Sequence, residues 1–128
     1  MVDSDENPDA AFAYYPRLRR LKEHLERHLE DDLPLAAAAR VAGLEEKYFS
    51  TFFHDKTGMC FKDWVARARV ERAAEMMRAQ DHTITWTALA VGFHDLRTFE
   101  RAFKRWMGTT ARTYKKSVQP HRAPRRKS

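Results

Sequence analysis

AVGFHDLRTFERAFKRWMG, residues 90–108, combines a glycine turn with a helix that is apolar on one side and basic on the other. Phe99 and Phe103 lie one helical turn apart, which is the spacing of a buried helix face. The positions that the phenylalanines leave free carry four basic residues, which are Arg97, Arg101, Lys104 and Arg105. The stretch therefore predicts an amphipathic helix whose exposed side is strongly basic.

The unit that contains this stretch occurs twice. At an offset of 49, residues 34–44 match residues 83–93, and at an offset of 50 the two phenylalanines of one copy match those of the other. A small residue lets two helices cross closely, and a glycine lets the chain turn through a positive φ. We interpret each copy as a helix-turn-helix whose structural residues are Ala39, Gly43 and Phe53 in the first copy and Ala88, Gly92 and Phe103 in the second.

Helical periodicity covers most of the chain, with almost no strand signal, so the sequence predicts an all-α fold of about seven helices. Leucines three and four apart indicate a helix at about residues 16–31, and the apolar pattern of residues 61–79 predicts a long helix between the two copies. The predicted organisation is an acidic flexible tail (1–13), a first helix-turn-helix subdomain (14–60), a linker helix (61–79), a second subdomain (80–117) and a basic disordered tail (118–128).

Length and charge limit the classes of protein that this chain can represent. Its 128 residues suffice for one modest domain or two small subdomains that share an element. The net charge is +6, and the four acids of residues 1–10 balance the four bases of residues 119–128, so the body itself is basic. A basic body indicates a polyanionic partner, such as nucleic acid. With no apolar run of about 18 residues and an acidic N-terminus, we predict a cytoplasmic protein.

Residue types with catalytic or metal-binding chemistry are sparse. The single Cys60 excludes an internal disulfide and is interpreted as a packing residue. His24 and His28 are four apart, but without a third ligand we interpret them as solvated helix residues. The sequence contains neither a nucleophile motif nor a phosphate-binding glycine loop. We therefore expect a protein that is not an enzyme and that binds no metal or cofactor.

Three stretches carry a resemblance to a known family: AARVAGLEEKYFSTFFHDKTGMCFKDWV, ARVERAAEMM and ALAVGFHDLRTFERAFKRWMGTTARTYK. They resemble the DNA-binding domain of the AraC/XylS family of bacterial transcription regulators over roughly residues 14–116, and the chain is similar in size to the short stand-alone members. Four positions depart from the family pattern. Ala111 and Lys115 replace its usual proline and arginine, Pro34 replaces an N-cap serine or threonine, and Thr87 replaces an apolar residue.

The predicted DNA contacts differ between the two copies. In the second, Arg97 and Arg101 lie four apart on one face and are predicted to contact bases, as the matching positions do in the resembled family. Leu96 is predicted to touch a thymine methyl, and Lys104 and Arg105 to contact phosphates. In the first, the resemblance implies base-facing Lys47, Ser50 and Thr51, with His54 and Lys56 toward the backbone. Glu100 could accept from a cytosine, but we favour a simpler i,i+4 pair with Lys104.

The sequence thus favours a sequence-specific regulator that binds double-stranded DNA. Two recognition helices in one chain predict a monomer on DNA, because the covalent link holds them together, and their unlike sequences predict an asymmetric site. The 19-residue linker helix spans about 28 Å and one duplex turn about 34 Å, so the two helices can meet successive major-groove segments. If the protein is an activator, we expect RNA polymerase as a partner. The alternative is a protein-interaction module that binds the transcription machinery or antagonises a related regulator. The mixed charge of Glu45, Glu46 and Glu100 on the presented surfaces would suit such a module. A fused DNA-repair alkyl-transfer enzyme would need more than one cysteine.

Overall fold

The computed structural model describes residues 8–119, and within this range it contains eight helices and no strand. In chain order they are α1 (Pro8–Tyr14), α2 (Pro16–Arg27), α3 (Leu35–Ala42), α4 (Glu46–Thr57), α5 (Phe61–Ala79), α6 (Ile84–Ala90), α7 (Leu96–Met107) and α8 (Ala111–Val118). The chain forms two compact units, the first ending at Val65 and the second beginning at Ala66. The all-α prediction is confirmed, and the α3–α4 and α6–α7 pairs are the two helix-turn-helix motifs.

In both motifs, the chain turns between the two helices at a glycine with a positive φ angle. Gly43 and Gly92 have φ values of 76° and 107°, in the left-handed region that favours glycine. The residue after each glycine donates its backbone N–H back to the buried alanine, Leu44 to Ala39 at 2.9 Å and Phe93 to Ala88 at 3.0 Å. These bonds satisfy a carbonyl at the end of the first helix of each motif. The repeat found in the sequence is therefore also a repeat of structure.

An aromatic cluster forms the core of the first unit. The ring of Phe53 is fully buried, and its centroid lies 5.4–5.9 Å from those of Phe12, Phe49, Phe61 and Trp64. Phe12 comes from α1 and stacks on Trp64 at 4.8 Å. The predicted flexible tail is therefore wrong for residues 8–13, because burial of Phe12 stabilises a helix there. Residues 1–7 of that tail lie outside the described residues.

The second unit packs its phenylalanines between α6, α7 and α8. Phe99 and Phe103 are fully buried, and Phe103 lies 5.5 Å from the ring of Tyr114 on α8. The Tyr114 hydroxyl accepts a 2.6 Å hydrogen bond from Arg78 on α5. Lys115 donates to the carbonyl of His82 at 2.8 Å, so this departure from the family pattern still fastens α8 to the segment before α6.

The other three departures are also accommodated. Thr87 is buried, but its hydroxyl donates to the Thr83 carbonyl at 3.0 Å, so the polar group is satisfied. Ala111 is buried at the start of α8 in place of a proline. Pro34 stands at the N-cap of α3 with an extended backbone, and its side chain makes no capping hydrogen bond in the described structure.

Helix α5 and the residues after α8 refine the predicted boundaries. The predicted helix at residues 61–79 is confirmed, but it is divided between the two units because the unit boundary falls after Val65. The predicted disordered tail is wrong for residues 118 and 119. Val118 ends α8, and the buried Gln119 donates to the Gln80 carbonyl at 2.6 Å. Residues 120–128, which carry most of that tail, lie outside the described residues.

Candidate nucleic-acid interface

Helix α4 presents a polar face opposite its buried one. Phe49, Phe53 and Thr57 are buried at a four-residue spacing, and the Thr57 hydroxyl donates to the Phe53 carbonyl at 2.8 Å. The five residues of α4 predicted to face the groove or the backbone are all exposed, namely Lys47, Ser50, Thr51, His54 and Lys56. Burial of the phenylalanines thus fixes the orientation of α4 about its own axis. This orientation leaves the predicted contact residues accessible to a ligand.

Helix α7 presents a stripe of charge in the same way. Phe99 and Phe103 bury one side, while the residues at positions i, i+3, i+4 and i+7 of the other side are exposed. This charged stripe consists of Arg97, Glu100, Arg101 and Lys104. Leu96, at the first position of α7, is half-buried. The structure therefore brings together three of the predicted DNA-contacting cations, Arg97, Arg101 and Lys104.

The start of α7 is held by a side-chain cap. The Asp95 carboxylate accepts hydrogen bonds from the Thr98 backbone N–H at 2.8 Å and from its hydroxyl at 3.0 Å. These two bonds, the backbone one first, lower the pKa of Asp95 below its usual value, and the nearby Arg101 charge acts in the same direction. The cap sets where the helix begins, and so sets the positions of the charged stripe.

A basic groove runs along the charged stripe. It encloses about 860 Å³ and is lined by Arg97, Glu100, Arg101 and Lys104 from α7 and by Thr110, Ala111 and Arg112 at the start of α8. Four cations and one carboxylate give this lining a formal charge of +3. A concave surface with a net positive charge concentrates anions, so the groove favours an anionic ligand.

Two of the residues predicted to contact phosphates, Lys56 and Arg105, also lie beside aromatic rings. The Lys56 ammonium is 5.2 Å from the centroid of the Tyr15 ring and 5.9 Å from that of Phe52. The Arg105 guanidinium is 4.5 Å from the Trp106 ring and does not line the basic groove. Both side chains remain exposed, but cation–π contacts hold them on the flanks of their helices.

Glu100 does not form the ion pair that the sequence favoured. Glu100 and Lys104 both lie in the described part of the chain, and no salt bridge joins them there. The preferred i,i+4 pair is therefore wrong for this structure. Both side chains instead line the basic groove, where three arginines and the lysine share its walls with the carboxylate.

Some residues of the site could not be found from the sequence pattern. Arg17 of α2 donates from one nitrogen to the carbonyls of Ala42 and Gly43, both at 2.9 Å, and so supports the first turn. Arg112 lines the basic groove from α8. Arg17 and Arg112 each lie on a different helix from the residues they approach, so the spacing of residues within one helix does not reveal either contact. A second copy of the motif gives one weak hint, since Arg112 matches Lys62 at an offset of 50.

The histidine pair predicted to be solvated lies on and just after α2. The His24 and His28 rings lie 4.5 Å apart, and His28 Nδ1 is 3.3 Å from an Asp31 carboxylate oxygen. Burial and then the neighbouring charge of His28 lower the pKa of His24. Across residues 8–119, no group of three or more histidine, cysteine or acidic side chains is arranged to hold a metal ion. In the same residues, no helix is long and apolar enough to cross a membrane.

Known proteins are similar to this chain over the region that contains both helix-turn-helix motifs. A family profile described as a helix-turn-helix domain matches residues 38–117. The regulatory protein PocR of Salmonella typhimurium is 28% identical over 108 residues, which cover 84% of this chain and 36% of PocR. The C-terminal domain of AraT, a response regulator from Geobacillus stearothermophilus, is 27% identical with a TM-score of 0.72, over 80% of this chain and 85% of that domain. The DNA-binding domain of the global transcriptional factor AdpA, solved with a target DNA, has a TM-score of 0.73 at 21% identity, over 83% of this chain and 95% of that domain.

Two linked helix-turn-helix motifs, each with an exposed second helix, define the class to which this protein belongs. Because the profile covers more than half of the chain and the solved relatives share its fold, the chain belongs to the AraC-type helix-turn-helix family. The chain spans 36% of the length of PocR and 39% of YobQ, an uncharacterised HTH-type transcriptional regulator of Bacillus subtilis. The resemblance drawn from the sequence motifs is confirmed.

Proposed function

We propose that this protein is a sequence-specific transcription regulator that binds double-stranded DNA through α4 and α7. The observation that carries the proposal is the charged stripe of α7, where Arg97, Arg101 and Lys104 are exposed opposite a fully buried pair of phenylalanines. Arginine binds guanine bidentately in the major groove, and lysine neutralises phosphates. The AdpA domain, which shares this fold and was solved with its target DNA, supports the assignment.

The two recognition helices have different roles in this proposal. Arg97 and Arg101 contact base edges, and Leu96 contacts a thymine methyl. On α4, Lys47, Ser50 and Thr51 face the groove, where short hydroxyl side chains discriminate bases weakly. The remaining predicted contacts, His54, Lys56, Lys104 and Arg105, neutralise phosphates. Base specificity therefore resides mainly in the second unit.

The proposed complex contains one protein molecule on an asymmetric site of about 20 base pairs. A covalent connection gives the second recognition helix a high effective concentration once the first has bound, so a dimer is not required. The two helices differ in sequence, so the two half-sites differ as well. In this proposal the protein acts in the cytoplasm at the nucleoid, and RNA polymerase is its partner if it activates transcription.

A second candidate function is protein recognition. Trp86 and Leu89 on α6 are 45% and 53% exposed, which is unusual for large apolar side chains on a helix of a motif core. Such a surface would suit a subunit of the transcription machinery or a related regulator. Salt dependence separates the two candidates, since affinity for duplex falls steeply with salt when several phosphates are neutralised.

The decisive experiment selects bound sequences from a random duplex library and then measures affinity and stoichiometry on the preferred site. We expect one chain per duplex, a non-palindromic consensus and a steep salt dependence. Inserting about half a helical turn between the half-sites should remove one of the two contacts, whereas a full-turn insertion is the matched control. Two chains per site, or indifference to the half-turn insertion, would contradict a linked pair. Failure to enrich any sequence would contradict DNA recognition itself.

A further inference from the structure

The basic groove has a second wall that the recognition helix does not supply. This α8 wall consists of Thr110, Ala111 and Arg112, which line the groove together with Arg101 and Lys104 of α7. The sequence patterns assigned DNA contacts to α4 and α7, and Arg112 was not among them. Its guanidinium is a further cation beside the charged stripe, delivered from a different helix.

We propose that this groove binds a backbone phosphate of the duplex, and that Arg112 contacts this phosphate from the α8 wall. The inference rests on the proposed DNA binding, because a strand that follows α7 in the major groove would pass along the same charged stripe. The guanidinium has a planar set of donors that matches the geometry of phosphate oxygens. The lining charge of +3 favours an anion over a neutral or cationic group.

Packing beneath the groove makes the α8 wall rigid. Ala111 is buried, and Thr110 caps the helix by accepting from the Thr113 N–H at 3.1 Å. One turn later, Tyr114 contacts the ring of Phe103 on α7 and the guanidinium of Arg78. The same core that orients the charged stripe thus orients the backbone from which the Arg112 side chain extends. A cation on a packed helix loses less backbone freedom on binding than one on a mobile loop.

A contact between Arg112 and a phosphate carries no information about the base sequence. A phosphate is the same at every base pair, so this contact adds affinity and sets the register of α7 without choosing a sequence. Glu100, the one carboxylate of the lining, repels the same phosphate. Arg112 and Glu100 therefore have opposite effects on affinity, and neither effect depends on sequence.

Salt titration of Arg112→Ala in the full chain tests the charge. On the selected duplex, we expect the slope of log affinity against log salt to flatten by about one. The difference in affinity between the two proteins should shrink by about 3.5-fold between 50 and 200 mM salt, since each phosphate contact contributes a slope of about 0.9. Arg112→Lys should keep the slope. The matched control is Lys116→Ala, which removes the same charge from an exposed position of α8 outside the groove and should change the slope less.

A scan of the duplex with single neutral methylphosphonates tests the contact directly. We expect one position where the substitution weakens binding by the wild-type protein but not by Arg112→Ala. Glu100→Gln should strengthen binding to preferred and scrambled duplexes by the same factor. Matching thermal unfolding midpoints for the variants and the wild type would establish that their folds are intact.

The outcomes separate this inference from the function on which it rests. If the wild-type protein binds its selected duplex and Arg112→Ala has the same methylphosphonate profile, Arg112 contacts no phosphate, which overturns the inference while DNA binding still stands. If Arg112→Ala changes preference at a single base pair, Arg112 contacts a base, which also overturns the inference. If the wild-type protein binds no duplex, the proposed function itself fails.

Discussion

Helices α4 and α7 occupy matching positions in the two units, so they can be compared residue by residue at an offset of 50. Lys47 matches Arg97, Ser50 matches Glu100, Thr51 matches Arg101, His54 matches Lys104 and Asp55 matches Arg105. With histidine neutral, α4 carries two acids and two bases, whereas α7 carries one acid and four bases. The formal charges of the two helices are therefore zero and +3.

The buried sides of these helices are alike, and the exposed sides are not. Each buries two phenylalanines completely and follows a glycine turn with the same backbone hydrogen bond. Burial constrains the packing residues because a cavity or an excess methylene costs stability, while an exposed position tolerates most side chains. The repeated scaffold thus supports two surfaces of different chemistry, and we expect the second to dominate base recognition.

The two units also hold their motifs in place by different means. Thr83 and Asp95 cap α6 and α7 with their own side chains. In the first unit, neither Pro34 nor Glu45 makes a side-chain cap in the described structure, and Arg17 instead binds the carbonyls at the turn. The second motif is held by local hydrogen bonds, and the first depends on a helix from elsewhere in the unit.

Removing the central phenylalanines should have the largest effect. Phe53→Ala and Phe103→Ala should each lower the free energy of unfolding by about 3–5 kcal/mol. Phe53→Ala should lower the free energy of unfolding more than Phe103→Ala. Four aromatic rings surround Phe53, whereas Phe103 contacts only the two rings of Phe99 and Tyr114 among the aromatic contacts of the described structure. Urea unfolding followed by circular dichroism measures both, with half-buried Phe52→Ala as the milder control. Equal losses of unfolding free energy would show that the additional aromatic neighbours of Phe53 contribute no stability beyond that of burying its ring.

The matched pair Arg101 and Thr51 tests the proposed division of base recognition. Arg101→Ala should cost about 1–3 kcal/mol on the preferred site, which is about a 5- to 150-fold loss of affinity, and should relax preference at one base pair. Thr51→Ala should cost less, because one hydroxyl discriminates poorly between bases. Affinities on single-base variants of the site supply the measurement. A loss of equal size on every sequence would make Arg101 a phosphate contact, and a larger loss for Thr51→Ala would reverse the comparison.

Two glycines with nearly the same backbone separate turn strain from the contribution of Arg17. Gly43 and Gly108 have φ values of 76° and 78°, so alanine at either should cost about 1–2 kcal/mol. A Cβ at Gly43 would also lie 2.8 Å from the Arg17 guanidinium, whereas one at Gly108 would meet nothing within 4 Å. Gly43→Ala should therefore destabilise the protein more, since Arg17 must give up its bonds to the turn. Equal unfolding free energies for the two variants would contradict a role for Arg17.

Acid should weaken the start of α7 more than that of α4. The folded pKa of Asp95 is lowered, so its contribution is present above the ordinary value of about 3.9 and is lost as pH falls through the lowered pKa. Asp95→Asn keeps a capping side chain without a titrating group, so its thermal midpoint should fall less below about pH 4. The control in the first unit is Glu45→Gln, at the N-cap of α4, where the side chain makes no capping hydrogen bond in the described structure. Identical profiles for wild type and Asp95→Asn would contradict the cap as the source of acid sensitivity.

Much of this protein follows from local patterns. The four-residue spacing of Phe99 and Phe103 predicts both the helix and its buried side, and hence the exposure of Arg97 and Arg101. The turn glycines follow from the need for a positive φ, and the repeat follows from comparing the chain with itself. These features are readable because each depends on residues within a few turns of one another.

The remaining features depend on segments far apart in the chain, and only the tertiary structure decides them. Local patterns place Phe12 in a flexible tail, since its burial depends on contact with Trp64, which is 52 residues away. Arg17 reaches a carbonyl 26 residues away, and Arg112 meets the charged stripe across a groove that exists once α8 packs on α7. Periodicity identifies which side of a helix is buried, but it does not identify the residue that another helix brings to that side. That choice is made by packing, where shape and hydrogen bonding select among many exposed and equivalent side chains.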